Sequence, residues 1–164
     1  MIPLVRVDNR LLHGQILEAW VPRLGIDQVV VADDEAAGSE LARAAMTLCV
    51  PPELPVRITR LAELDLAALA RPGPKVLLLL RDLPGLAAAR AAGLTPAIAR
   101  KVNIGNLHFG AGRRQVTPSV FLSEPDLATL RALAAEGFEL EVRAVPAEPP
   151  AGLEEIERRY AAAR

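Results

Sequence analysis

The sequence predicts an α/β protein with an open, mostly parallel twisted sheet flanked by helices on both faces. Three observations carry this prediction. Short runs rich in β-branched residues alternate with stretches of helical periodicity along the chain. The run VLLLL at 76–80 has no polar alternation, which is typical of a central parallel strand covered on both faces. The apolar fraction of 51% contains only 3% aromatics, so we expect an aliphatic core.

Six runs read as strands, and their polar flanks mark where the chain turns. The run at 138–145 alternates polar and apolar residues and is interpreted as a final strand, and we leave room for antiparallel pairing at the sheet edge. The segment HFGAGRRQV at 108–116 is interpreted as a surface connection. The predicted strands are 2–7, 28–32, 55–61, 75–82, 99–106 and 138–145.

The stretches between the strands have helical periodicity and recognisable ends. Apolar residues form one stripe in HGQILEAWVPRLG at 13–25, where Pro22 tightens the helix or ends it early. Ser123 followed by Asp126 is typical of a capped helix start, and Gly137 of a helix end. The predicted helices are 13–25, 39–49, 61–73, 83–93, 124–137 and 152–164. No repeat or linker divides the chain, so residues 1–164 are expected to form a single domain.

The composition argues against several classes of function. Lys and Arg total 19 against 20 for Asp and Glu, so no global field attracts nucleic acid or an anionic membrane. Cys49 alone gives neither a disulfide nor a cysteine zinc site. No run is long enough to span a bilayer and no signal peptide is visible, so we expect a cytoplasmic protein. No cofactor or metal is expected.

In open α/β sheets the functional crevice lies at the carboxyl ends of the strands. Four loops leave the predicted strands there, and the first, DNRLLHG at 8–14, carries His13 just where a helix begins. A neutral imidazole is a nucleophile, and a phosphoryl group on it could be held by the N–H groups of Gly14 and Gln15. Arg6 or Arg10 would stand nearby.

Asp8 could then orient the ring of His13 by accepting from the nitrogen that does not react. The alternative is structural: His13 caps a helix, and the charged residues end a strand or cap a loop. His108 is interpreted as a partly buried turn histidine. The acidic run at 33–35 is interpreted as a loop and helix start rather than a magnesium site. Phosphate-loop and serine-hydrolase motifs are absent.

The segment RVDNRLLHGQ at 6–15 resembles the R-I-D-D-R-L-I-H-G-Q signature of IIB components of the mannose/fructose/sorbose family of the sugar phosphotransferase system. Further segments resemble the family in the same order and cover nearly the whole chain. They include VVVADDEAA at 29–37, VPPELPV at 50–56, KVLLLLRD at 75–82 and the stretch from 102 to 146.

The resemblance implies a phosphotransferase with a phosphohistidine intermediate, whose active histidine, His13, lies on the first βα loop. It would accept a phosphoryl group from a IIA partner and pass it to a sugar translocated by IIC and IID membrane components. The motif's arginine before the histidine matches Arg10, which would stabilise the group in transfer. Its acidic residue matches Asp8 and its first arginine Arg6.

Two positions depart from the family pattern, and neither is a reacting group. The second acidic position of the motif is Asn9, and the usual Gly-Gly pair becomes Gly105-Asn106. Two alternative functions remain open at this point. One is a regulatory protein of the same fold that is phosphorylated without sugar transport. The other is an α/β module that binds an anion without covalent chemistry.

Overall fold

A computed structural model describes the chain from residue 1 to residue 164. Its main sheet has six strands in the order β3-β2-β4-β1-β5-β8, and every pairing within it is parallel. The open parallel sheet is therefore confirmed, whereas no edge strand of it is antiparallel. The strands are β1 (Leu4–Asp8), β2 (Gln28–Ala32), β3 (Val56–Thr59), β4 (Val76–Leu80), β5 (Lys101–Asn106) and β8 (Glu139–Val142).

Helices cover both faces of the sheet, as expected from the buried, unbroken apolar strands. On one face α4 (Leu66–Ala70), α5 (Leu83–Ala91), α6 (Glu124–Ala135) and α7 (Leu153–Ala162) pack on the larger core cluster. On the other face lie α2 (Asp34–Gly38), α3 (Glu40–Thr47) and the helical segment after β1. No helix has the length and apolar character needed to cross a membrane.

Two predicted helices have a different local form. The first consists of a π-helical turn (Ile16–Trp20) followed by α1 (Val21–Leu24), with Pro22 in the first turn of α1 and Gly25 left-handed at its end, φ 60°. Pro22 lacks an N–H, so it favours a new helical start. The stretch 61–73 is not one helix, because Asp65 caps α4 and separates it from a 3-10 turn (Leu61–Glu63).

The segment 108–116 is more than a surface connection, which corrects the sequence interpretation. It leads into β6 (Arg114–Thr117), which pairs with β7 (Val120–Leu122) in an antiparallel hairpin outside the main sheet. Val116, Val120 and Leu122 are buried in the larger core cluster. Arg114 and Gln115 begin β6 and are both largely exposed, so the strand lacks the alternation of apolar and polar residues that would predict it from the sequence.

The strand order places β1 between β4 and β5. From β1 the chain runs to β2, toward the β3 edge of the sheet. From β4 it runs in the opposite direction, past β1 to β5. Because the connections from the neighbouring strands β1 and β4 depart in opposite directions, a crevice opens at the carboxyl ends of these two strands. The loop after β1 therefore lies in the position that the fold makes available for a site.

Candidate active site

The loop after β1 is rigidly anchored at the carboxyl edge of the sheet. The N–H of Leu11 donates to the carbonyl of Asp8 at 2.9 Å and closes a tight turn. Leu11 has φ 56°, a left-handed conformation that costs a non-glycine residue on the order of 1 kcal/mol. Leu11 and Leu12 are both buried in the smaller core cluster, and this burial holds the strained backbone in place.

The carboxylate of Asp8 is the centre of the site. It is fully buried and accepts hydrogen bonds from two arginines and a histidine. Its Oδ2 accepts from Arg6 Nη2 at 2.9 Å and lies 3.0 Å from His13 Nε2. Its Oδ1 accepts from the backbone N–H of Arg10 at 2.9 Å and from Arg10 Nε at 3.2 Å. One carboxylate therefore fixes three side chains.

These contacts decide the charge of Asp8. Burial alone would raise the pKa of this carboxyl, but hydrogen bonds from His13 and Arg10 and the positive charge of Arg6 hold the pKa of Asp8 well below its usual range. Asp8 is therefore ionised at any pH near neutral. An ionised carboxylate accepts hydrogen bonds only, so the nitrogen of His13 that faces it carries a proton.

His13 lies directly before the first helical turn, and its ring is 18% exposed. With Nε2 directed at Asp8, Nδ1 makes no hydrogen bond within the chain. The carbonyl of His13 accepts from the N–H groups of Ile16 and Leu17, whereas those of Gly14 and Gln15 have no acceptor in the protein. Nδ1 of His13 and the N–H groups of the next two residues therefore have no partner within the chain.

Arg10 is the exposed cation of the site, with 40% of its side chain accessible. Besides its bonds to Asp8, its Nη2 donates to Oε1 of Gln15 at 3.2 Å. Arg6, in contrast, is fully buried and lies behind Asp8. The structure therefore brings together every site residue predicted from the sequence, but Arg6 can only orient Asp8 and cannot reach a bound phosphate.

Asn9 has a structural role that the sequence does not reveal. Its side-chain Nδ2 donates to the carbonyl of Arg81 at 2.8 Å, and its Oδ1 accepts from the N–H of His108 at 2.6 Å. It thus ties the loops after β4 and β5 to the loop after β1. An aspartate there could not donate to Arg81, so the departure from the family motif has a local use. His108 is exposed rather than partly buried.

The acidic run at 33–35 is a helix start, as the sequence indicates. Asp33 caps α2 and is held by Arg81, with Nε and Nη2 at 2.8 and 2.7 Å from its two oxygens. Burial would raise the pKa of Asp33, but the hydrogen bonds from Arg81 and from the N–H of Ala36 lower it. No group of side chains in the chain has the composition and geometry of a metal site.

The fold and this cluster define an open-sheet α/β protein with an oriented histidine and an exposed arginine at the carboxyl end of its central strand. Residues 2–162 match the family described as the sorbose subfamily IIB component of the PTS system. The chain belongs to this family. It is a IIB component of the mannose/sorbose type within the sugar phosphotransferase system, and the resemblance seen in the sequence is confirmed.

Individual relatives agree with this assignment. The N-acetylgalactosamine-specific phosphotransferase enzyme IIB component 2 of Escherichia coli K12 is 31% identical, over 93% of this chain and 96% of that protein. The IIB domain of the sorbose permease from Klebsiella pneumoniae is 25% identical, with a TM-score of 0.84 over 96% of this chain and 97% of the other.

The mannose-specific EIIAB component of Escherichia coli K12 is 29% identical over 91% of this chain. The match covers 46% of that protein, so the chain spans about half the length of the EIIAB relative.

The lowered carboxyl pKa values predict how stability depends on pH. The folded-state pKa values of Asp8 and Asp33 lie below the unfolded ones, so unfolding takes up protons in acid. Their contribution is fully present above about pH 5 and is lost progressively as the pH falls through about 4 and below. The urea midpoint should therefore be level from neutral pH to about 5 and then fall.

A single substitution separates the contribution of Asp33 to this pH dependence from that of Asp8. Asp33→Asn retains a side-chain oxygen that can cap α2 but loses the charge that faces Arg81. It should be less stable at neutral pH and show a shallower decline in acid than the wild-type protein. Parallel declines would contradict the assignment of this acid sensitivity to Asp33.

Proposed function

We propose that this protein is a phosphocarrier that accepts a phosphoryl group on Nδ1 of His13 and transfers it to a sugar. The observation that carries the proposal is the single contact of the imidazole. Nε2 is 3.0 Å from a buried, ionised carboxylate, while Nδ1 has no partner and lies at the exposed side of the site. This arrangement favours the tautomer whose lone pair is on Nδ1.

Loading would follow from this geometry. The Nδ1 lone pair attacks the phosphorus of a phosphohistidine on the donor, and the donor's imidazole leaves. Asp8 holds the proton on Nε2 throughout, so its negative charge stabilises the positive charge that develops on the ring of His13. Arg10, and the N–H groups of Gly14 and Gln15 that have no acceptor in the protein, would donate hydrogen bonds to the phosphoryl oxygens.

Onward transfer uses the same groups in reverse order. A sugar hydroxyl attacks the phosphorus, the bond to Nδ1 breaks, and the hydroxyl proton is released to water. Because Nε2 already carries its proton, His13 leaves as a neutral imidazole. The transition state resembles metaphosphate and spreads charge over three oxygens. Arg10, the accessible cation of the site, is the side chain suited to stabilise that charge.

The partners follow from the family rather than from contacts within the chain. The donor would be a IIA protein or domain, and the acceptor sugar would arrive through the IIC and IID membrane components. The protein would act in the cytoplasm and reach the membrane only through these partners. Both partners would meet the same loop in turn, which requires small, transient interfaces.

A labelling experiment tests the proposal directly. The protein is incubated with phosphoenolpyruvate, the general phosphotransferase proteins and a IIA protein of the mannose/sorbose family. We expect a phosphate that is labile in acid and stable in base, as phosphohistidine is. Absence of label under conditions that phosphorylate the IIA protein would contradict the proposal and favour non-covalent anion binding. Label that no IIC and IID pair can pass to sugar would favour the regulatory alternative.

Arg10→Ala should impair onward transfer more than loading. During loading the donor brings its own phosphate-binding groups, whereas during transfer to sugar Arg10 is the main cation at the phosphoryl group. We expect a loss on the order of 10²-fold in transfer to sugar and a smaller loss in loading, both from single-turnover kinetics. Arg23→Ala, at an exposed arginine of α1, is the control. Wild-type rates in both half-reactions would show that Arg10 is only structural.

A further inference from the structure

We infer that Asn103, Gly105 and Trp20 form a clamp around the buried guanidinium of Arg6, and that this clamp positions His13 for phosphoryl transfer. The inference rests on the proposed function and extends it to residues that cannot touch the substrate. They are positioning residues, acting through Arg6 and Asp8. Trp20 lies in the π-helical turn, and the other two lie on β5.

A polar row crosses three neighbouring strands and supplies the first part of the clamp. Arg6 of β1 is in register with Asn103 of β5, which is in register with Glu141 of β8. Asn103 is fully buried. Its Oδ1 accepts from Arg6 Nη1 at 2.6 Å, and its Nδ2 donates to Glu141 Oε1 at 3.2 Å. Asn103 thus uses both ends of its amide to hold the guanidinium in line.

Gly105 supplies the floor of the clamp. The pairing of β1 with β5 steps from Val7 opposite Ile104 to Asp8 opposite Asn106, so Gly105 is the extra residue of a bulge. The guanidinium of Arg6 lies directly on its backbone. A Cβ added at Gly105 would stand 2.0 Å from Arg6 Cζ, far inside van der Waals contact. Only glycine leaves room for Arg6 in this position.

Trp20 closes the other side. Arg6 Cζ lies 5.1 Å from the centroid of its ring, and Arg143 Cζ lies 5.4 Å from it. The indole is itself fixed, because its Nε1 donates to the carbonyl of Ala144 at 3.0 Å. A fully desolvated cation is thus held by an aromatic face, a glycine and an amide.

This arrangement is more than a device for stability. Burying an ion pair costs desolvation that its attraction often fails to offset, and Arg6 Nε is buried without any acceptor. What the clamp does provide is orientation. Arg6 Nη2 donates to Oδ2 of Asp8, the same oxygen that faces His13 Nε2. With Arg6 fixed, that oxygen stays directed at the imidazole. Once Arg6 shifts, Oδ2 loses this donor, and the carboxylate, which Arg10 contacts at both oxygens, can rotate away from the imidazole.

Two variants disturb the clamp without touching Asp8, Arg10 or His13. Gly105→Ala deletes no polar group and displaces the guanidinium by steric contact alone. Asn103→Ser leaves a hydroxyl too short to bridge Arg6 and Glu141. Gly152→Ala is the matched control, because Gly152 has φ −80° and a Cβ there meets no atom within 4 Å. Amide NMR spectra verify that each variant is folded.

Two readouts then separate positioning from mere structure. One is the proton resonance of His13 Nε2–H and its exchange with water, measured in the unphosphorylated protein. The other is the rate of His13 loading. We expect faster exchange of that proton and a loading rate reduced about 10- to 100-fold in both clamp variants, with wild-type behaviour in Gly152→Ala.

Either folded clamp variant suffices for the test. A variant that keeps both the protected proton and the wild-type loading rate would overturn the inference. The proton measurement does not depend on phosphorylation. If the wild-type protein cannot be labelled but the clamp variants lose the protected proton, the proposed function fails while the clamp stands. If labelling succeeds and the variants match the wild-type protein, the clamp fails while the function stands.

Discussion

Replacing His13 with alanine is expected to abolish phosphorylation by the IIA donor and all transfer to sugar. The imidazole of His13 is the only nucleophile in the site with an unpartnered, accessible nitrogen. The remaining side chains there are a buried, ionised carboxylate, arginines, which carry no lone pair for attack, and the non-nucleophilic amide of Gln15. Incorporation of label from phosphoenolpyruvate should therefore fall to background.

The chain offers a matched control for this experiment. His108 is the second of its two histidines, is exposed, and contacts the site only through its backbone N–H. His108→Ala should keep full labelling. If label survived His13→Ala, or disappeared in His108→Ala, the assignment of the phosphorylated residue to His13 would be wrong. Phosphorus NMR of the labelled wild-type protein should show substitution at Nδ1, and substitution at Nε2 would contradict the orientation given by Asp8.

Replacing Asp8 with asparagine is expected to have the largest effect on stability. The change removes the carboxylate that pairs with Arg6 and leaves a cation in a site with no exposure to solvent. Removing one partner of a buried ion pair costs about 3–5 kcal/mol of unfolding free energy. Urea unfolding at neutral pH measures this loss. Loading of His13 should fall as well, since a neutral amide stabilises the Nε2 proton less.

Two further variants show whether the unpaired cation causes the loss of stability in Asp8→Asn. Adding Arg6→Met to Asp8→Asn removes the unpaired cation, so the double variant should recover part of the stability but none of the loading rate. Glu155→Gln removes a carboxylate that pairs with Arg159 at an exposed surface and should have a much smaller effect. If Asp8→Asn destabilised the protein no more than Glu155→Gln, the description of a fully desolvated ion pair would be wrong.

Local patterns in the sequence carried much of the fold. Five consecutive apolar residues in β4 predict a covered parallel strand, and Ser123 with Asp126 forms the capping box that opens α6. Local patterns gave a wrong prediction where the same pattern is compatible with two different structures. The stretch 61–73 reads as one helix because Asp65 is compatible with both a helix interior and a cap. The hairpin was missed because its strands are short and polar on one side.

The residues of the loop after β1 were accessible to sequence reasoning because they lie close together in the chain. Asp8, Arg10 and His13 fall within six positions, and a strand followed by a helix fixes where they meet. The sequence also indicates that Arg6 lies beside Asp8, because alternation along β1 places Leu4, Arg6 and Asp8 on one face of the strand.

The distant residues that stand behind that loop depend on how the strands are arranged in the sheet. Asn103 and Glu141 are polar residues that alternate with apolar residues in their strands, so the sequence predicts the face of the strand on which each lies. It does not predict their adjacency to Arg6, because that adjacency depends on the order β1-β5-β8 and on a one-residue bulge at Gly105. Strand order and register arise from packing across the whole sheet. For that reason the chemistry of the site can be predicted from the local sequence, whereas the residues that orient it follow only from the assembled sheet.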